Sequence, residues 1–330
     1  MKVLVTGATG FLGGATARRL AKDGHGVVAT GRNLAAGKWL LQDGIEFHPA
    51  DIRDAALIRE LAHGCKGVVH CAALSSPWGR ASEFDSINRT GTENITAACL
   101  AHGIPRLVHI STPGIYVGLG DRFDVGENAE LPAKPANHYV RTKLAAEAAV
   151  GQAQAEGLNT IILRPRGIYG PGDTVVIPRL IRALETGRLP RIGDGQASMD
   201  LTYIDNAVQA VCKALDAKAE LGGRVFNVTD GSPIELWPFV DRLCESLGLD
   251  RPSRTVPLKV ATTYAHILEL VHTVLFPNRE PLMTRYTATL LARSLTLDIS
   301  AARKDLGYAP TVGPDEGLER FTDWWKAAGA

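Results

Sequence analysis

Tyr139 and Lys143 stand four residues apart in "NHYVRTK". In a helix that spacing puts both side chains on one face, one turn apart. A phenol with an ordinary pKa near ~10 is a poor acid at neutral pH. An ammonium held close by, beside a further positive charge, favours the phenolate and brings proton transfer within reach. The pair is a candidate for general acid/base work. Upstream, "RLVHIST" is an apolar run ending in Ser111 and Thr112, two hydroxyls at the end of a strand.

A second constellation opens the chain. "TGATGFLG" places Gly7, Gly10 and Gly13 between an apolar run and a helical pattern. The first glycine permits a tight turn, the second lets backbone approach a pyrophosphate, and the third lets helix and strand pack closely. The helix N-terminus then offers unpaired N–H groups and a positive dipole end to the phosphates. Thr9, Phe11 and Leu12 fall within the same turn and join the candidate cofactor residues. About 20 residues beyond such a turn, an NAD-binding chain places Asp or Glu on the adenosine ribose hydroxyls. Here "VVATGRN" puts Arg32 there, followed by Asn33. A guanidinium suits the 2′-phosphate of NADP, which a carboxylate would repel. NADP(H) is the preferred expectation, with NAD(H) open. Asp51, followed by Ile52, closes the third strand, where a carboxylate can accept from the adenine amino group.

These residues need a scaffold that gathers strand ends. "KVLVTG", "HGVVATGR", "EFHPADI", "GVVHCAA", "RLVHIST" and "NTIILRP" alternate with helical patterns. Strands so rich in Val and Ile belong in a parallel sheet covered by helices on both faces. The fold class expected is α/β, a doubly wound Rossmann sheet with a smaller C-terminal substrate lobe. Residues 1–165 and about 200–230 form the dinucleotide-binding unit, "RVFNVTDG" returning a strand to its sheet. The lobe takes 166–199 and 231–330, over the carboxyl ends of the strands.

Composition narrows the class. With 36 basic against 35 acidic residues, nothing favours a nucleic-acid partner. The five cysteines share no metal-ligand spacing and the nine histidines no HExxH pair, so no metal is expected. Free thiols and a strand beginning at Lys2 point to a reducing, cytoplasmic setting without a signal peptide. "VATTYAHILELVHTVLF" is too short and polar to span a bilayer.

The glycine turn, the strand ending in Ser-Thr, YxxxK and "RPRGIYGPGD", in that order, resemble the extended short-chain dehydrogenase/reductase family over essentially the whole chain. "VVHCAALSSPWG", "STPGIYV" and "LTYIDNAVQA" most resemble its 3β-hydroxysteroid and sterol-4-carboxylate dehydrogenase branch, with bacterial 2-alkyl-3-oxoalkanoate reductases among its relatives. The resemblance implies Tyr139 as general acid/base, Lys143 on the nicotinamide ribose, and Thr112, with Ser111 beside it, on the substrate carbonyl. It sets Cys71, Ala72 and Ala73 along the cofactor and Pro165 and Ile168 near the carboxamide. Asn88 is implied as a helix-bend or water-organising group. A homodimer is expected through the Ala-rich helices running from Phe84 and Tyr139.

The reaction expected is hydride transfer between NADP(H) and a bulky apolar ketone or alcohol, such as a β-keto acid. Trp78, Arg166 and Met199 are the substrate-side candidates. Nucleotide-sugar relatives carry an arginine where "GDGQASMDLTYIDN" has Met199, and a thioether cannot grip a diphosphate. A non-catalytic cofactor sensor is the other alternative, against which Tyr139, Lys143 and Thr112 stand. In the lobe, Trp237, Tyr264, Ile267, Leu268, Val271, Leu275 and Phe276 suit an apolar pocket or, for the helical run, ordinary core packing. Arg166 and Arg179 could each meet a carboxylate.

Overall fold

Seven short apolar runs pair edge to edge into one parallel sheet. They are β1 (Lys2–Thr6), β2 (Gly26–Gly31), β3 (Glu46–Pro49), β4 (Gly67–His70), β5 (Leu107–Ile110), β6 (Thr160–Pro165) and β7 (Arg224–Val228). The spatial order is β7-β6-β5-β4-β1-β2-β3. This computed structural model describes residues 1–118, 120–187, 189–277 and 279–329. All six neighbouring pairs run parallel. The sheet is the doubly wound one expected, "RVFNVTDG" included. Chain order reverses between β1 and β4, the switch point where such sheets bind ligands.

Alternation along the strands explains the two covered faces. Val3 and Val5 enter one core and Leu4 the other; Val69, Val108 and Ile161 oppose Val68, Leu107 and Ile162 in the same way. On the first face lie the helices Phe11–Lys22 and Ile204–Leu215, through Leu12, Ala17, Val208 and Val211. On the second lie Ala55–Ala62, Gly91–Ala101 and His138–Ala155, through Ile58, Ile95 and Val150. Burial on both sides is what a continuous apolar strand requires.

The long helix expected from Phe84 is interrupted. A short helix, Ala81–Phe84, runs into a π-helical segment, Asp85–Thr90, before Gly91–Ala101 resumes regular geometry. Such single π turns occur mostly at functional sites, and Asn88 sits inside this one.

The C-terminal part adds a four-stranded sheet that joins Ser198–Met199 to Ile234–Glu235, Leu295–Leu297 and Arg122–Val125. Here the helix Leu258–Leu275 overturns one expectation. Only Ala261 and Ala265 are buried on it, while Tyr264, Ile267, Val271 and Leu275 are exposed. It packs on the helix Arg285–Ala292, which also buries alanines, Ala288 and Ala292. On both helices the fully buried residues are alanines, and large apolar side chains of the longer helix are turned outward. Tyr264, Ile267, Val271 and Leu275 are therefore not core. Trp237 is fully buried in the core.

Candidate active site

The carboxyl ends of β1, β2 and β4 enclose a cleft of about 230 Å³. Its walls include Gly7, Thr9, Gly10, Arg32, Asp51, Ile52, Cys71, Ala72 and Ala73, all candidates from the sequence. Gly7 has φ +67, and an added Cβ would fall 2.7 Å from the Ala72 nitrogen. At Gly13 a Cβ would collide with the Gly7 carbonyl oxygen. Only glycine satisfies both positions. The helix from Phe11 has no side-chain cap, so its first N–H groups are free to meet an anion. The cleft fits a dinucleotide, with the glycine turn under the pyrophosphate.

At the adenosine end, Arg32 is exposed, and its guanidinium forms no ion pair with any described residue. Asp51 is held by Arg53, whose Nε and Nη2 donate to it at 2.9 and 2.6 Å. That pair, with Arg32 close by, keeps the Asp51 carboxyl below its ordinary pKa. Asn33 is engaged elsewhere. Its Oδ1 accepts from the Ala35 and Ala36 amides at 3.0 and 3.1 Å, capping the helix Leu34–Gln42. Leu12 is buried in the core, and Phe11, Pro165 and Ile168 stand outside the cleft wall. Thr30, Gly31, Ala50 and Ile87 line the cleft as well, without a sequence signal that marks them.

The candidate reaction centre is built around Tyr139. Tyr139 is the second residue of the helix His138–Ala155, which Asn137 starts by accepting from the Val140 amide at 2.8 Å. The Ser75 and Thr112 hydroxyls lie near the Tyr139 phenol. Burial raises its pKa, and these two hydroxyls offset part of that rise. Thr112 is fixed by accepting from the Gly114 amide at 3.0 Å, so its orientation comes with the turn Pro113–Tyr116. The neighbouring Ser111 Oγ is buried with no partner among the described residues. Of the two strand-end hydroxyls, Thr112 rather than Ser111 is the one that acts on the Tyr139 phenol.

Lys143 corrects one expectation. Its ammonium does not turn to the phenol; it donates to the Ile110 carbonyl at 2.5 Å and to His109 Nε2 at 3.3 Å. The chain alone therefore leaves the phenol raised rather than lowered. Burial brings Lys143 down to about 8, with Glu147 opposing. Two of three ammonium donors are occupied, which leaves one for a ligand hydroxyl. Beneath it lies a polar layer: His70 bonds Thr6 Oγ1 at 2.7 Å and Thr92 Oγ1 at 3.0 Å. Burial holds His70 at about 3 and His109 well below its ordinary value, so both imidazoles are neutral.

Asn88 clamps this assembly. Its Oδ1 accepts from the Leu74 amide at 2.7 Å, and its Nδ2 donates to the Leu74 carbonyl and Thr142 Oγ1, each at 3.1 Å. One side chain thereby ties the loop carrying Ser75 to the helix carrying Tyr139. Ser75 escapes sequence reasoning: "ALSSPWG" offers two serines, and spacing does not distinguish them. Tyr286, from the helix Arg285–Ala292, escapes it too. An added Cβ at Gly114 would lie 2.6 Å from its hydroxyl and 3.2 Å from Thr112 Oγ1. Nothing local in "TRYTATLL" marks it.

On the substrate side, Arg166 is buried at a second cavity, which Tyr116 and Arg293 also line. Trp78 has its indole nitrogen buried and unpartnered among the described residues. Met199 packs in the core and lines neither cavity. Arg179 is already paired with Glu280 at 3.1 Å.

This is the architecture of a dinucleotide-dependent oxidoreductase. Residues 3–229 match the NAD dependent epimerase/dehydratase family. The chain belongs to that family, the extended short-chain dehydrogenases/reductases, and is an oxidoreductase of CH–OH groups. It is 36% identical to 2-alkyl-3-oxoalkanoate reductase of Stenotrophomonas maltophilia, over 97% of this chain and 98% of that protein. It is 33% identical to 3beta-hydroxysteroid-dehydrogenase/decarboxylase isoform 2 of Arabidopsis thaliana, over 92% of this chain and 54% of that one. Among solved structures, MoeE5 in complex with UDP-glucose and NAD superposes with a TM-score of 0.78 at 26% identity, covering 100% of both chains. No described helix is long and apolar enough to cross a membrane.

Proposed function

We propose that the protein is an NADP(H)-preferring reductase that interconverts a bulky apolar ketone and its secondary alcohol. The observation that carries this reading is Tyr139, with the Ser75 and Thr112 hydroxyls near its phenol, beside a dinucleotide cleft. The bound cofactor supplies the hydride. Tyr139 gives its phenolic proton to the carbonyl oxygen, and Thr112 and Ser75 hold that oxygen as negative charge develops. Lys143 holds the ribose and adds a positive charge on the phenol's side. Asn88 keeps the two hydroxyl-bearing segments in register.

Arg32, unpaired where a carboxylate would select NAD, supports NADP(H). Similarity to an oxoalkanoate reductase and to a steroid dehydrogenase supports an apolar substrate. The matched structure with UDP-glucose brings up the nucleotide-sugar alternative, but Met199 offers no cation for a diphosphate. A cytoplasmic homodimer through the helices Gly91–Ala101 and His138–Ala155 completes the proposal, and light scattering at micromolar concentration should return a dimeric mass. A panel of long-chain 2-alkyl-3-oxo acids, 3-oxosteroids and UDP-sugars, each with NADPH, tests the function. Consumption of NADPH with the first or second class is expected. Conversion of the UDP-sugars alone would overturn the reading.

A further inference from the structure

We infer that the helix Leu258–Leu275 docks, lying flat, on the surface of an anionic lipid layer. This goes beyond the ketone-reductase reading and does not depend on it. Nine of the 17 large apolar side chains exposed among the described residues fall between Val260 and Leu282. Single exposed apolar residues are normal, but a cluster of this kind marks a contact site. At 3.6 residues per turn, Tyr264, Ile267, Leu270, Val271, Val274 and Leu275 share an arc of roughly 140°. Thr263 and the Tyr264 hydroxyl are the only polar side-chain groups in that arc. Leu270 and Val274 within it are 56% and 77% exposed. The other side of the helix carries Ala261 and Ala265, its buried residues, and meets the helix Arg285–Ala292. What remains is a convex apolar face with almost nothing to hydrogen-bond.

Charge identifies the occupant. Between Arg254 and Arg285 the two carboxylates are Glu269, paired with Arg285 at 2.6 Å, and Glu280, paired with Arg179 at 3.1 Å. Arg254, Lys259 and Arg279 are exposed and form no ion pair among the described residues. Arg254 and Lys259 stand at the start of the helix and Arg279 just past its end, so free cations flank the apolar face at both ends. Symmetric pairing with a second copy would crowd these like charges together. A protein partner would look for a hydrogen bond in every 100–200 Å² or so, which this face does not offer. An anionic lipid surface meets both features. Its acyl boundary takes up the apolar arc to a depth of ~5–10 Å, and its headgroups meet the cations. The same helix borders the candidate reaction centre. Its His272 ring stands edge-on to Trp78, which follows Ser75 by three residues, with centroids 6.4 Å apart. The helix it packs on carries Tyr286. Docked in this way, a water-insoluble substrate held in the lipid has a short path to these elements.

Vesicle flotation of the full chain tests this, with phosphatidylcholine alone and with phosphatidylcholine mixed with phosphatidylglycerol. The protein should float with the mixed vesicles, with an affinity roughly tenfold or more above that for the neutral ones, and the advantage should shrink as salt rises. Replacing Arg254, Lys259 and Arg279 together by Gln should lower that affinity by roughly 10²-fold, about fivefold for each cation. The double variant Leu270→Glu, Val274→Glu should no longer float. Both positions are exposed, so its melting temperature and NADPH affinity should match those of the unmodified protein. No flotation of the unmodified protein, equal affinity for the two vesicles, or flotation retained by the folded double variant overturns the proposal. So does a mass in light scattering that rises with protein concentration, without flotation, and falls in the double variant, which would give the face to a second copy. None of these outcomes bears on the chemistry at Tyr139, so the ketone-reductase reading stands or falls separately.

Discussion

The two halves of the active site are built from different materials. The cofactor cleft is made of backbone: a glycine turn, the ends of three adjacent strands, and a helix N-terminus left uncapped. The proposed substrate side draws on side chains from distant segments, among them Ser75, Thr112, Tyr139, Arg166 and Tyr286. A backbone site imposes spacing on consecutive residues, because a close approach tolerates only glycine. A side-chain site imposes nothing local, since each residue needs only to arrive from its own element. The first kind can be read along the chain, and the second exists only once the chain has folded.

The largest expected effect probes the support shared by both halves. Glu147, on the helix of Tyr139, pairs with Arg164 of β6 through two hydrogen bonds of 2.9 and 2.6 Å, almost fully buried. Glu147→Leu strands a buried guanidinium and should cost about 3–5 kcal/mol in denaturant unfolding. A loss below about 1 kcal/mol would mean that Arg164 finds relief elsewhere, in Tyr116 or the Glu127 carbonyl. Next comes the chemistry. Tyr139→Phe should lower kcat by ~10²-fold or more while leaving NADPH affinity nearly unchanged. Retention of a tenth of the activity would move the proton donor elsewhere.

Lys143 gives the pH dependence. Its pKa is lowered by burial to about 8, so the ammonium that orients the ribose is present below that pH and lost above it. NADPH affinity should therefore weaken as pH rises through about 8, and Lys143→Arg should move the decline upward. The stability linkage has the opposite sense: between about 8 and the ordinary lysine value the unfolded chain binds more protons, so folding gains with rising pH. A flat affinity profile would remove Lys143 from the ribose.

Smaller effects sharpen the contrast between the halves. Arg32 should give NADPH at least a tenfold advantage over NADH, or about 1.4 kcal/mol, and Arg32→Ala should erase most of it. On the substrate side, each buried methylene of the alkyl chain should add roughly 0.8 kcal/mol to binding until the site is full. A chain-length series with flat kcat/KM would show that the chain is not buried there.

Legibility followed the same division. The strands of the sheet, its returning strand and nine residues of the cleft could be placed from the sequence, since apolar runs and glycine spacing are local signals. Tyr139, Lys143 and Thr112 were legible because one helical turn and one strand end carry them. The direction of the Lys143 ammonium was not, since it depends on the Ile110 carbonyl across the fold. Asn33 sits next to the cofactor residue Arg32, yet its side chain caps a helix, a competing use that is common for asparagine. The helix Leu258–Leu275 misled most: its apolar period suggested a buried face of large side chains, but only Ala261 and Ala265 are buried on it. Tyr286 could not have been found by any local pattern.

The most direct measurement follows the hydride. NADPH deuterated at the transferring position of nicotinamide C4 is incubated with the protein and a long-chain 3-oxo acid, and the product is analysed by mass spectrometry and NMR. One deuterium on the carbinol carbon, with one NADPH consumed per alcohol formed and the alcohol formed at least ~10²-fold more slowly by Tyr139→Phe, is the predicted result. Epimerisation of a UDP-sugar without net consumption of cofactor, and no deuterium in any alcohol, would contradict it.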